Sequence, residues 1–177
     1  VWEFCSNLLT KQVQFSLKMA ETAIKEKELG NAAYKKKDFA EALKHYDKAI
    51  ELDPNNMTFY SNKAAVLFEK GEYEKCIELC KQAVEVGREQ RADYTLIAKA
   101  MTRISNAYLK MDKLDEALIW IDKSLSEHRD SEIVKKQKKL EKEVAERKRL
   151  AYIDPKIAQD EKNIGNKFFK EGNFPEA

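Results

Sequence analysis

Small and apolar residues recur along the chain at a spacing of 34 positions, in pairs of stretches with helical periodicity. The pattern that begins at Ala23 is repeated in the segment that begins at Met57. Pro54 follows the second stretch and is expected to end it, because proline lacks the amide hydrogen that a helix needs. The recurring positions are Leu29, Gly30, Tyr34, Ala42, Tyr46 and Ala49 in the first copy, and Ala64, Phe68, Tyr73, Cys76, Cys80 and Ala83 in the second. The pattern predicts two successive helix–turn–helix units.

A third copy begins at Ala98, but it lies 41 rather than 34 positions after Met57. We place the seven extra residues between Val86 and Tyr94, where Gly87 is expected to end a helix in the left-handed conformation. Either the second helix of the preceding copy is extended, or the loop after it is enlarged. The recurring residues of the third copy are Ile104, Ser105, Tyr108, Leu114, Ala117, Ile121 and Ser124.

A period of 34 residues is that of the tetratricopeptide repeat (TPR), in which a helix A and a helix B form one unit. Gly30, Ala64 and Ser105 supply small side chains where helices cross, so that the backbones can approach each other. Tyr46 and its counterparts fill the space beside these small residues. We therefore predict an all-α fold, a TPR solenoid of three repeats that stack into a right-handed superhelix.

The last repeat of such a stack needs a cover for its apolar face. The segment 130–150 is predicted to supply it as a capping helix, with Ile133, Leu140 and Val144 as its apolar stripe. Basic runs such as KKQKK at 135–139 alternate with acidic residues, and we interpret them as the solvated side of that helix.

By sequence the chain divides into four parts. Residues 1–20 fit no repeat and are assigned as a leader of uncertain status that could be disordered, with Met19 as one option for a natural initiator. Residues 21–150 are predicted to form the three-repeat domain with its capping helix, and 151–157 a linker, because its Asp-Pro pair should break the helix. Residues 158–177 are the truncated start of a second TPR domain. We therefore expect the chain to be part of a longer protein.

The composition agrees with a helical protein. Charged residues make up 36% of the chain and hydrophobic ones 43%, with only five glycines and three prolines, a balance typical of helices throughout. A net charge of +2 gives no general indication of nucleic-acid binding. No apolar run approaches the roughly 20 residues of a membrane span. The three cysteines have no disulfide-like spacing, so we predict a reducing compartment and a cytoplasmic location.

Five basic or carboxamide residues fall on the A helices of the three copies. Lys27 and Asn31 lie four residues apart, and Lys99 and Arg103 repeat that spacing, so each pair shares one helix face. Asn62 lies on the A helix between them, and all five are expected on the concave wall of the solenoid. Their donors suit carboxylates, and a terminal aspartate offers two carboxylates on neighbouring carbons. The set predicts a two-carboxylate clamp for a peptide tail.

Other chemistries have less support in the sequence. Cys76 and Cys80 lie four apart on a predicted helix, but no His or further Cys completes a metal site, so we interpret both as core residues and expect no metal or cofactor. His45 and His128 have no nucleophile at a recognisable spacing and are expected at the surface, so no enzyme is predicted. A basic helical nucleic-acid binder that uses the 135–149 region is kept as an alternative function.

The chain resembles the middle TPR domain of the heat-shock organising protein (stress-inducible phosphoprotein, Hop/Sti) co-chaperone family. The resemblance runs from about residue 20 to the end and includes the RLAYIDP linker and the seven-residue insertion. Three stretches carry most of it: KELGNAAYKKKDFAEALKHYDKAIELDPNN, SNKAAVLFEKGEYEKC and VGREQRADYTLIAKAMTRISNAY.

The resemblance implies an adaptor that binds the C-terminal Met-Glu-Glu-Val-Asp tail of heat shock protein 90 and links chaperones for client transfer. The tail of heat shock protein 70 also ends in Glu-Glu-Val-Asp and is a second possible partner. A TPR domain of another clamp-bearing co-chaperone is the alternative identity. The implied clamp residues are Lys27, Asn31, Asn62, Lys99 and Arg103. Secondary peptide contacts are implied at Tyr34, Thr58, Glu69 and Asn106, and a partial clamp of the next domain at Lys162 and Asn166. No membrane or nucleic-acid partner is expected.

Overall fold

The computed structural model describes residues 2–152 and 155–172, with side chains from residue 13 to 151 and from 156 to 172. All regular secondary structure in this part is α-helical, which confirms the predicted fold class. The chain divides into two compact units, one up to Gln137 and one from Lys138 onwards. The helices are α1 (Trp2–Lys35), α2 (Phe39–Leu52), α3 (Met57–Glu69), α4 (Tyr73–Glu89), α5 (Tyr94–Lys110), α6 (Leu114–Glu127), α7 (Ser131–Tyr152) and α8 (Pro155–Lys170). None of these described helices is long and apolar enough to cross a membrane.

In the first unit, α1 to α6 form three helix pairs in which each helix packs on the next one in sequence. The A helices α1, α3 and α5 also contact one another in that order, so they make one continuous wall. The core between the pairs contains the small and apolar residues of the repeat pattern. Ala42, Tyr46, Ala64, Cys76, Cys80, Ala83, Ile104, Ala107, Ala117 and Ile121 are all buried. Most of the recurring positions are therefore buried, and Leu29 is an exception with 51% exposure.

The small residues at the crossings have the predicted packing role. A Cβ built on Gly30 would lie 2.7 Å from Cε1 of Tyr46, so only glycine fits against this ring. In the third repeat Ser105 occupies the equivalent position, and its buried hydroxyl donates to the carbonyl of Ala117 at 2.7 Å. Cys76 and Cys80 are fully buried free thiols, which confirms that they are core residues.

Each A–B turn contains one residue in the left-handed backbone region. These residues are Lys37 (φ 61°), Gly71 (φ 80°) and Asp112 (φ 60°), at matching positions of the three repeats. A left-handed residue reverses the chain after helix A, and the next helix begins within two residues. Only the second repeat has the glycine that this conformation favours.

The prediction for Gly87 is wrong. Gly87 is a buried residue within α4, which continues to Glu89, and the left-handed residue after it is Arg91 (φ 51°). A Cβ on Gly87 would lie 2.6 Å from Sδ of Met57, so this glycine serves close helix packing. The predicted extension of the second helix B is confirmed, since α4 has 17 residues where α2 has 14. The other four extra residues lengthen the next helix A, since α5 has 17 residues where α3 has 13.

The described part of residues 1–20 belongs to α1, which runs without a break into the first repeat. The assignment of residues 1–20 as a leader stays a prediction. In the capping segment Leu140 and Val144 are buried and Ile133 is half-buried. The first compact unit ends inside α7, ahead of the predicted boundary at residue 150. Part of the predicted 151–157 linker is helical, and the division into 21–150 and 158–177 stays a prediction. Residues 173–177 of the predicted second TPR domain lie outside the described residues.

Candidate peptide-binding groove

The five predicted clamp residues lie on the wall formed by α1, α3 and α5. Lys27 and Asn31 are one helical turn apart on α1, Asn62 is on α3, and Lys99 and Arg103 are one turn apart on α5. Lys27, Asn31, Asn62 and Arg103 are half-buried, whereas Lys99 is exposed. The wall is therefore open enough for a ligand to reach these side chains.

A hydrogen-bonded core holds the two carboxamides. Oδ1 of Asn31 accepts from the Tyr46 hydroxyl at 2.6 Å and from Nδ2 of Asn62 at 3.1 Å. Burial, and to a lesser degree Tyr34, raises the pKa of Tyr46 to about 12, so its hydroxyl is a permanent donor at neutral pH. With its oxygen occupied twice, Asn31 directs its NH2 group away from these partners. Among the described residues, that NH2 group has no acceptor.

Arg103 is held by the neighbouring A helix. Its Nη1 donates to the backbone carbonyl of Ser61 at 2.8 Å and to the Ser61 hydroxyl at 2.7 Å. The guanidinium also lies beside Cys80, whose pKa is raised by its hydrogen bond with Cys76 and by burial, so the thiol is neutral. The positive charge of Arg103 is therefore not cancelled on its buried side. Ser61 fixes Arg103 next to Asn62, and sequence reasoning missed this role.

The cations of the wall have no carboxylate partner. In the described part of the chain, no ion pair within 4 Å involves Lys27, Lys99 or Arg103. The pKa of Asp93 is lowered mainly by hydrogen bonds from Thr95, and Lys99 is a minor cause of this shift. An anion that enters the groove would not have to displace an internal acid.

The predicted secondary contacts differ in their surroundings. Tyr34 is half-buried and packs on Phe39, with ring centroids 6.2 Å apart. Thr58 is engaged in the N-cap of α3, where its hydroxyl donates to Oδ1 of Asn56 at 2.6 Å. Glu69 is exposed at the end of α3, and Asn106 lies one turn beyond Arg103 on α5.

Lys162 and Asn166, the implied partial clamp of the next domain, lie one turn apart on α8 in the second unit. Both side chains are exposed. Their spacing puts them on one helix face, as it does for Lys27 and Asn31.

Lys136 was missed by the sequence reasoning, which assigned the run 135–139 to the solvated side of α7. Lys136 is half-buried, and its ammonium group donates to Oδ1 of Asn106 on α5. Burial lowers its pKa. Lys135, Lys138 and Lys139 are exposed as predicted. The composition of a lysine run does not indicate which lysine faces inwards. The helical spacing between Lys136 and the apolar Leu140 could have indicated it.

His45 also differs from its prediction as a surface residue. It is half-buried between α1 and α2, and its Nδ1 lies 2.8 Å from a carboxylate oxygen of the buried Glu26. His128 is exposed, as expected.

No group of metal-ligating side chains occurs among the described residues. A cavity of about 530 Å³ lies between α2, α3 and α4, away from the clamp residues, and is lined by Leu43, Asp47, Lys63 and Leu79 among others.

The repeat signal is recognised by two family profiles. The profile described as "TPR repeat" matches residues 30–71, and that described as "Tetratricopeptide repeat" matches residues 55–126. The solved structure of the N-terminal domain of stress-induced protein-1 from Caenorhabditis elegans is 62% identical to this chain, with a TM-score of 0.67. The match covers 70% of this chain and 97% of that domain. The chain belongs to the stress-induced phosphoprotein 1 family.

Two further comparisons support this conclusion. Stress-induced-phosphoprotein 1 of Caenorhabditis elegans is 60% identical over 159 residues, which are 90% of this chain and 50% of that protein. The yeast Sti1 structure described as a TPR2AB-domain:pHSP90 complex is 42% identical, with a TM-score of 0.76, and the match covers 88% of this chain and 60% of that one. The chain thus spans half or less of the length of the curated relatives it matches. The predicted family and TPR fold are confirmed.

Proposed function

We propose that this chain is the tail-binding part of a co-chaperone adaptor, and that its groove binds the C-terminal Met-Glu-Glu-Val-Asp sequence of heat shock protein 90. The observation that carries the proposal is the hydrogen-bonded polar wall across α1, α3 and α5. Asn31 and Asn62 are joined directly, Arg103 is anchored to Ser61 beside them, and Lys27 and Lys99 flank the network.

The chemistry of this wall matches a terminal aspartate. Lys27 supplies a compact charge from α1, and Lys99 and Arg103 supply a second charged cluster from α5. An α-carboxylate and a β-carboxylate on neighbouring carbons can bind both clusters at once. The free NH2 group of Asn31 is suited to donate to one of these oxygens. A peptide without the terminal carboxylate would use only part of the wall.

The expected affinity is moderate. A hydrogen bond to a charged group contributes about 1.5–3 kcal/mol net. Two or three such bonds, less the cost of ordering a flexible tail, correspond to a dissociation constant in the micromolar range, or roughly −8 kcal/mol. Because Lys99 is exposed, salt should weaken the binding.

The family supports this partner. The yeast Sti1 relative is described in complex with pHSP90, and its matched region covers most of this chain. We infer that the whole protein links chaperones in the cytoplasm for client transfer, without an enzymatic activity of its own. The buried free thiols Cys76 and Cys80 suit a reducing compartment. The tail of heat shock protein 70 is the second partner to test.

Nucleic-acid binding through α7 is less well supported. Arg147 and Arg149 of this helix pair with Glu143 and Glu146, and Lys135 pairs with Glu132. Internal acids therefore neutralise much of the basic surface that a phosphate backbone would need. We do not propose this function.

Substitution of the clamp cations tests the proposal. Lys27→Ala and Arg103→Ala should each reduce binding of the free-acid pentapeptide Met-Glu-Glu-Val-Asp by tenfold or more, because each removes a charge-assisted bond worth about 1.5–3 kcal/mol. Lys25→Ala on the same helix is the matched control, since Lys25 is exposed and should leave binding unchanged. Circular dichroism should show unchanged helix content for all three variants.

Two results would contradict the clamp. The first is a Lys27→Ala or Arg103→Ala variant that binds like the Lys25→Ala control. The second is a variant that loses its helix content, because Lys27 and Arg103 would then be needed for the fold rather than for the ligand.

A further inference from the structure

We propose that Lys136 on α7 is a specificity-determining residue of the groove, and that it binds an acidic side chain of the tail upstream of the terminal aspartate. This inference rests on the proposed function. It adds Lys136, from α7, to the five predicted clamp residues on α1, α3 and α5. The position of Lys136 beside Asn106 carries it.

Lys136 continues the polar stripe of α5. Lys99, Arg103 and Asn106 follow one another at spacings of four and three residues, so they share one face of α5. The ammonium group of Lys136 donates to the side-chain oxygen of Asn106, at the end of this stripe. Asn106 and Lys136 both belong to the first compact unit.

The ammonium group of Lys136 has no acidic partner among the described residues, and its bond to Asn106 is to a neutral oxygen. Burial lowers its pKa, because a buried ammonium group loses solvation. A carboxylate from a ligand would offset that loss.

The spacing fits an extended tail. The seven-residue step from Lys99 to Asn106 rises about 10 Å along the helix. An extended peptide covers that distance in about three residues. For a tail that runs along α5 from a terminal aspartate held at Lys99 and Arg103, a side chain two or three residues upstream comes level with Asn106 and Lys136. Both of these positions are glutamates in Met-Glu-Glu-Val-Asp.

The alternative role of Lys136 is structural, because its bond to Asn106 also joins α7 to α5. A structural role would affect all peptides equally, whereas recognition of a glutamate would affect only peptides that have it. The test therefore combines protein variants with peptide variants. Lys136→Met removes the charge but keeps most of the aliphatic stem. Lys139→Met, in the same basic run but exposed, is the matched control.

Calorimetric titrations use three free-acid peptides: Met-Glu-Glu-Val-Asp and the two forms in which one glutamate is replaced by glutamine. Lys136→Met should weaken binding of the parent peptide by about threefold to tenfold, the effect of one hydrogen bond. Against one of the two glutamine peptides this loss should disappear. Lys136→Arg should restore most of the affinity, and Lys139→Met should bind all three peptides like the unchanged protein.

An equal loss for all three peptides would overturn the inference and leave Lys136 a structural residue. An affinity of Lys136→Met equal to that of Lys139→Met would also overturn it. In both cases the clamp itself stands if Arg103→Ala still weakens binding of the parent peptide by tenfold or more. If the unchanged protein does not bind the parent peptide, the proposed function fails as well.

Discussion

At the scale of single residues, the proposed groove depends on side chains whose orientation is fixed by neighbours in or near the core. Tyr46 is 1% exposed and belongs to the core, yet its hydroxyl sets the orientation of the Asn31 carboxamide. Ser61 does the same for Arg103. Fixed donors lose less conformational entropy on binding, so these supporting contacts should contribute to affinity.

Tyr46→Phe separates the two roles of this residue. The ring remains against Gly30, so the free energy of unfolding should fall by only about 1 kcal/mol, the net contribution of one hydrogen bond. Peptide affinity should fall several-fold, because Asn31 loses one of its two positioning donors. Tyr60→Phe is the matched control, since its hydroxyl donates to the carbonyl of Pro54 instead. Equal peptide affinity of the two variants, measured by calorimetry, would exclude the positioning role.

Tyr46→Ala should lower the free energy of unfolding by about 3–5 kcal/mol, because it leaves a cavity in the core.

The sequence predicts the positions of the clamp residues but not the contacts that support them. Lys27, Asn31, Asn62, Lys99 and Arg103 could be placed on one wall, because repeat register and the helical period are both readable from the chain. Ser61 and Lys136 could not, since their roles depend on a contact 42 and 30 residues away in sequence. His45 was assigned to the surface for the same reason, because its partner Glu26 lies on another helix.

At the scale of the helices, the fold depends on close crossings and on a repeated turn. Gly30 sits against Tyr46 and Gly87 against Met57, and in both cases an added Cβ would come within 3 Å of the neighbour. The sequence pattern marked Gly30 correctly as a crossing residue. It failed for Gly87, because a glycine near a helix end suits either a C-cap or a close contact, and only the packing partner decides between them.

Gly30→Ala should destabilise the protein more than Gly87→Ala. The Tyr46 ring is rigid, buried and held by its bond to Asn31, so the clash should cost about 1–3 kcal/mol and exceed the helix-propensity gain of about 1 kcal/mol. At Gly87 the nearest atom is the sulfur of the flexible Met57, which can move. Urea unfolding followed by circular dichroism measures both changes. A Gly30→Ala variant as stable as the unchanged protein would show that the crossing is looser than described.

At the scale of the whole molecule, helices α1 and α2 are joined by a partly buried charge cluster. Glu26 is buried and binds both His45 and Lys48 of α2. The hydrogen bond from Lys48, followed by that from His45, lowers the pKa of Glu26 below its usual value of 4.5. The folded state therefore favours the ionised carboxylate. Its contribution to stability is complete above the usual pKa and is lost as the pH falls through the lower folded value.

Glu26→Gln should lower the unfolding midpoint at pH 7, and the difference from the unchanged protein should shrink as the pH is lowered from 5 to 3. Glu28→Gln on the same helix is the control, because Glu28 is exposed. Thermal unfolding at several pH values measures this. A difference that stays constant with pH would show that the charge of Glu26 contributes nothing and that only its packing matters.

The three stacked repeats place donors from separate parts of the sequence on one surface, and this is the basis of the proposed tail binding. The central claim is that the groove recognises the terminal carboxylates. Its most direct test is calorimetric titration of the free-acid pentapeptide Met-Glu-Glu-Val-Asp against the same peptide with an amidated C-terminus. The free acid should bind with a micromolar dissociation constant, and the amide at least tenfold more weakly, because it loses one charge-assisted bond or more. Equal affinity of the two peptides would contradict the clamp.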